Sequence, residues 1–170
     1  LVLVLLAVGK AVGGDSVTFS FSAISAWQLE NGSLITRAGL IPAALAMLLV
    51  IPGETGSHPF DTAEAETEIC EGLLAEYSGG PLAVYKLSHA VKLLTMSSLF
   101  VALFLGGVGT GIIALDAVIL FALCTVIVAI FVSLVHAVTA RLKIEQVFKY
   151  YWTVVTALAA ISLVLVWYGL

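Results

Sequence analysis

Glu54 to Pro81 reads ETGSHPFDTAEAETEICEGLLAEYSGGP, a polar stretch between two strongly apolar runs, and its reading decides how the rest of the chain is arranged. Seven of the eleven acidic residues lie in it: Glu54, Asp61, Glu64, Glu66, Glu68, Glu71 and Glu76. Asp61 is placed to cap a short helix, and Glu64, three residues on, to reach back as in a capping box. Glu64, Glu68 and Glu71 then share a face at i, i+4 and i+7, with Ile69, Leu73 and Leu74 as apolar anchors beside them. Like charges stacked this way repel, and a solvated acidic loop is the plainer reading of such a cluster. The capping pattern and the exit through EYSGGP argue instead for a loop built to hold its carboxylates in place.

Around this stretch the composition is that of a membrane protein. Of the chain, 61% is hydrophobic and only 11% charged, against about 25% charged in an ordinary soluble domain. The net charge of -4 comes almost wholly from the acidic stretch. No basic stripe is present, which excludes a nucleic-acid partner. Cys70 lies in the polar stretch and Cys124 in an apolar run, so the two form neither a disulfide framework nor a metal-ligand spacing. Clustered cysteines, a GxGxxG fingerprint and a His pair at metal spacing are all absent from the sequence, so no cofactor motif stands in this chain.

Outward from the acidic stretch the apolar runs read as membrane spans at about residues 1–12, 35–52, 82–105, 112–138 and 150–170. At about 1.5 Å per residue each of the longer ones crosses most of a hydrocarbon core of about 30 Å. All are expected to be helical, because a bilayer offers no partners to exposed backbone groups and nothing alternates like a barrel strand. The expected fold is therefore all-α, one polytopic transmembrane bundle of about five spans with a single long acidic loop, 54–81. Leu1 to Val12 has no initiator Met and no charge before Lys10, so a secretory signal does not fit; it reads as the end of a span whose start is missing. Between Gly13 and Ser33 the residues Val17, Phe21 and Ile24 recur at helical spacing with Trp27 close by. Either a helix lying in the interface or a plain packed loop satisfies that pattern.

Ionisable residues within the spans carry the next step. Tyr85, His89, Lys92 and Met96 share one helical face, and Lys92 lies about 16 Å beyond Pro81. A lone Lys near the bilayer centre costs about 2.5 to 3.5 kcal/mol on insertion scales, so Lys92 is expected to face the protein interior and a partner. Lys86 is near enough to the surface to snorkel, and Asp116 and His136 lie near span ends, where interfacial solvation accounts for them. Counting crossings puts the acidic loop on the side of Arg141, Lys143 and Lys149, leaving Lys10 and Arg37 near the other. The excess of positive residues makes the acidic side cytoplasmic. Crowded carboxylates at a membrane boundary hold some of their protons near neutral pH and so can pass protons or attract cations.

Glu54 to Leu87 also resembles the signature loop of the complex I subunit 1 family, the membrane subunit that complex I shares with energy-converting NiFe hydrogenases and formate hydrogenlyases. The matching residues are Glu54, Pro59-Phe60-Asp61, Glu64-Ala65-Glu66, Glu68, Glu71-Gly72 and Glu76-Tyr77-Ser78-Gly79. ARLKIEQVFKYYW, Ala140 to Trp152, is similar to the family's basic loop between its last two helices. Family members are nearly twice as long, so the resemblance covers their C-terminal half. It implies a multi-pass protein of a bacterial or archaeal cytoplasmic membrane whose acidic loop faces a redox arm. Glu54, Asp61, Glu64, Glu66, Glu68, Glu71 and Glu76, with Lys92 and His89, would then couple protons or ions, and Arg141, Lys143, Pro59, Phe60 and Tyr77 would dock the arm.

Two departures place the chain within that family. Ser57 or His58 stands where quinone-reducing members carry an Arg before Pro-Phe-Asp, and Tyr85-Lys86-Leu87-Ser88-His89 stands where they carry an acidic residue. Lys86-Leu87-Ser88 resembles the hydrogenase branch. That branch implies hydrogenase-like large and small subunits and antiporter-like membrane subunits as partners, with the NiFe and iron–sulfur centres in those partners. The quinone-facing subunit of a complex I-type enzyme is the alternative within the family. Composition alone also allows an unrelated secondary transporter, although the repeats expected of one are not visible.

Overall fold

The computed structural model describes residues 1–14, 16–57, 59–60, 76–106, 112–138 and 142–169, and every regular element among them is helical. Helix α1 spans Val2–Gly13 and α2 Phe21–Asn31; two 3-10 turns, Leu34–Thr36 and Ala38–Leu40, then lead into α3, Ile41–Thr55. Helix α4, Gly80–Phe100, runs on as a π-helix over Val101–Leu105. Helix α5, Ile113–Ile127, continues through a π-helix at Val128–Leu134 into α6, Val135–Val138. Helix α7, Ile144–Tyr150, passes through a third π-helix, Tyr151–Val155, into α8, Thr156–Trp167.

Three stretches are long and apolar enough to cross a bilayer: Ala38–Thr55 with 18 residues, Gly80–Leu105 with 26 and Ile144–Trp167 with 24. Val2–Gly13 and Ala114–Ile130 are shorter apolar helices. Two of their ends have a local cause. Pro81 sits in the first turn of α4, where its missing N–H costs nothing. Gly56, in the left-handed region at φ 68°, closes α3. That helix runs past Pro52 and takes in Glu54 and Thr55, while Gly80 and Pro81 belong to α4, so both ends of the polar stretch are helical.

The core forms where α1, α3 and α8 meet. Val4, Ala7 and Val8 of α1, Ala43, Ala46 and Met47 of α3, and Ala159 and Ser162 of α8 are all buried. Small side chains let these helices approach closely, which is how helices associate when lipid removes the hydrophobic incentive. Helix α4 packs on α3, and α5 on α4. Much of α4 and α5 is open in this chain, with Val84, Leu87, Val118 and Phe121 each exposed by about 64%. Apolar residues all round a helix are stable only where lipid or another protein surrounds it.

The connector after α1 resolves into helix rather than loop. Ile24 and Gln28 of α2 are buried while Phe21 stays exposed, because the helix turns its Ile24 face onto α1 and the end of α4; Val17 precedes the helix and is exposed as well. Gln28 caps that end, its Nε2 donating to the carbonyls of Ala102 (3.1 Å) and Leu103 (3.0 Å) where the π-helix closes. Its Oε1 is buried with no partner. Ser162 Oγ similarly donates to the carbonyl of Gly39, 2.6 Å away, tying α8 to the turn before α3. Gln28→Ala is expected to destabilise the fold by about 1–3 kcal/mol, since it strands the buried carbonyl of Leu103 and the part-buried one of Ala102. Thermal unfolding of the detergent-solubilised protein reads that loss directly.

Candidate functional site

The last turn of α3 builds one wall of the site. Thr55 Oγ1 donates to the carbonyl of Ile51 at 2.9 Å, and the Ser57 N–H to that of Pro52 at 2.9 Å, so the helix end is tied down around Glu54. Pro52 interrupts the backbone ladder here, and the Tyr151 hydroxyl donates to the carbonyl of Leu49 at 3.1 Å. Tyr151 fits because residue 53 is glycine: a Cβ there would collide with the Tyr151 hydroxyl.

Phe60 covers this wall. Its ring stacks on Tyr150, with centroids 5.9 Å apart and planes at 29°, and leans on Tyr151 at 5.2 Å. The Leu142 N–H donates to the carbonyl of Pro59 at 3.3 Å. The start of the acidic stretch and the basic loop before α7 therefore touch through backbone and aromatic contacts. Lys143 opens α7, its own N–H donating to Gln146 Oε1 at 3.0 Å while its side chain stays exposed.

Helix α4 forms the opposite wall. Between the walls is a cleft of about 390 Å³ lined by Glu54, Phe60, Tyr85, Ser88, His89 and Lys92. Lys92 Nζ lies 3.8 Å from Glu54 Oε1, and both side chains are about half exposed, 50% and 56%. A pair this open is worth about 0–1 kcal/mol, so it can part and re-form without loosening the bundle. Protonating the carboxylate removes the attraction that holds the ammonium. The cleft thus brings a carboxylate, an imidazole and an ammonium into one solvent-reached space at the end of a membrane helix.

The sequence-derived residues divide by position. Glu54, Phe60, His89 and Lys92 come together in the cleft, and Pro59 lies beside it. Glu76 and Tyr77 are exposed ahead of α4. Asp61, Glu64, Glu66, Glu68, Glu71 and Arg141, and the capping box with them, lie outside the described residues. Lys92, expected to face the protein interior and a partner, is mid-way along α4 and has Glu54 as that partner, but its side chain is half exposed, because Glu54 sits in the last turn of α3 and the pair is level with the end of that shorter span. No sequence pattern gives Gly53, Ser88 or Tyr151 a place in the site. A Pro-Gly pair inside an apolar run is the available signal for the first.

Residues 1–167 match the family model described as NADH dehydrogenase. An NADH-quinone oxidoreductase subunit of Deinococcus deserti is 32% identical over 155 residues, covering 86% of this chain and 39% of that protein. Hydrogenase-4 component C of Escherichia coli is 47% identical over 75 residues, 44% of this chain and 22% of that protein. A solved structure of the membrane-bound sulfane sulfur reductase, an archaeal respiratory membrane complex, superposes with a TM-score of 0.84 at 28% identity, covering 96% of this chain and 53% of the solved one. The chain thus spans about half, or less, of the length of these proteins. With a match that runs almost from end to end and a fold shared at that level, the chain belongs to the NADH dehydrogenase family.

Proposed function

We propose that this chain is the membrane-embedded subunit of a complex I-like, energy-converting NiFe hydrogenase or formate hydrogenlyase. In this role it anchors a soluble redox arm and couples electron transfer there to translocation of protons or sodium ions. The observation that carries the reading is the Glu54–Lys92 pair at 3.8 Å, beside His89 and beneath Phe60, where the acidic stretch begins. Ionised Glu54 holds Lys92; a proton or cation arriving at the carboxylate releases the ammonium, and the charge balance inside the membrane edge changes. We assign Pro59, Phe60, Tyr77, Arg141 and Lys143 to docking the redox arm on the cytoplasmic side. Hydrogenase-like large and small subunits carry the NiFe and iron–sulfur centres, and antiporter-like subunits extend the ion path.

The hydrogenase branch is supported by Ser57 and His58 before Pro-Phe and by 47% identity with hydrogenase-4 component C. A second reading, the quinone-facing subunit of an NADH-quinone oxidoreductase, is favoured by the longer 155-residue match with the Deinococcus protein. An unrelated secondary transporter loses its support, since the relatives above are named as oxidoreductase and hydrogenase components. Purifying the complex from its native membranes through a tag on this chain separates the two. Hydrogen evolution from reduced ferredoxin or from formate is the expected activity. NADH-driven quinone reduction without hydrogen evolution would replace the first reading by the second.

A further inference from the structure

At the end of the bundle away from Glu54, the C-terminal turns of α1 and α8 meet the turn before α3, and two cations lie there. Lys10 Nζ sits 4.9 Å from the ring centroid of Trp167, and Arg37 Cζ 4.5 Å from that of Trp27. Among the described residues the ion pair found is Glu54–Lys92, and neither Lys10 nor Arg37 has an acidic partner. Between them opens a cavity of about 270 Å³ lined by Lys10, Ala11, Gly14, Arg37, Val166 and Trp167.

The chemistry of this cavity selects its ligand. An indole takes the flat face of a guanidinium and leaves its N–H edge free, and that edge is a fork matched to phosphate oxygens. Lys10 adds a point charge on the same space. Gly14 lines this space at φ 62°, and a side chain there would meet nothing within 4 Å beyond its chain neighbours. Trp167 and Tyr168, 68% and 81% exposed, continue past the cavity at the end of a span. Aromatic side chains so placed lie at headgroup level.

We propose that this cavity binds the phosphodiester headgroup of an anionic phospholipid. Arg37 forks onto the phosphate and Lys10 neutralises it, while the acyl chains run down the apolar flank of α8 below Val166 and Trp167. A lipid is favoured over a free oxyanion because the cations stand at a span end beside apolar and aromatic side chains.

Native mass spectrometry of the intact detergent-solubilised complex, titrated with phosphatidylglycerol or phosphatidylcholine, tests this. The expected result is one phosphatidylglycerol retained on this subunit in preference to phosphatidylcholine, with the preference lost at high salt. Affinity should fall about fivefold for Lys10→Gln or Arg37→Gln and roughly thirtyfold for the double variant. Lys149→Gln, on the other side, should leave the lipid preference as it is. Equal retention of both lipids by the unaltered complex overturns the proposal without relying on any variant. Undiminished binding in an assembled double variant also overturns it, as does displacement of the lipid by excess inorganic phosphate, which would make the cavity a free-oxyanion site.

Discussion

Gly53→Val is expected to cut the yield of folded protein sharply, with a loss of about 1–3 kcal/mol from overpacking. The added carbon meets the Tyr151 hydroxyl, and Tyr151 has little freedom to yield. It donates to Leu49 at 3.1 Å, its ring lies 5.2 Å from Phe60, and it stands edge-on to Tyr150 at 5.5 Å. Swinging the ring away therefore opens the wall that holds Phe60 over the cleft. Tyr151→Leu combined with Gly53→Val should recover part of the loss, because the smaller side chain vacates the contested volume. Thermal midpoints of the two single variants and the double, read as a cycle, decide the matter; additive losses would mean that the two residues do not touch.

The helical class followed from composition, since apolar runs of this length in a bilayer have no other way to satisfy their backbone. Periodicity also placed Tyr85, His89 and Lys92 on one face, and that face lines the cleft. What periodicity does not carry is the relative depth of two helices. Pairing Lys92 with Glu54 depends on how far α4 slides along α3, a distance set by packing and by the connecting stretch. The three π-helical segments were equally hidden, because each shifts a hydrogen bond by one residue without any change in hydropathy. Gln28 belongs to no pattern in the connector and is fully buried, since the end of α4 supplies two carbonyls that nothing local announces. The acidic stretch identified the family, and among the described residues it is the start of that stretch, Glu54 to Gly56 with Phe60, that lines the cleft.

Lys92→Met should have the largest functional effect. Because the pair is half exposed, removing the ammonium costs the fold at most about 1 kcal/mol, and the complex should assemble normally. Coupled ion movement should fall about a hundredfold, the low end for loss of a group that manages a proton. Glu54→Gln should behave alike, since it keeps the shape of the side chain and removes its titrating group.

The most direct measurement is the number of ions pumped per hydrogen evolved in inverted membrane vesicles carrying Lys92→Met, Glu54→Gln, or Glu54→Lys together with Lys92→Glu. The ratio should collapse in both single variants at undiminished levels of complex, and should return in part when the two charges are exchanged. An unchanged ratio in both single variants would contradict the account and leave Glu54 and Lys92 as a surface ion pair beside an ion path carried by other subunits.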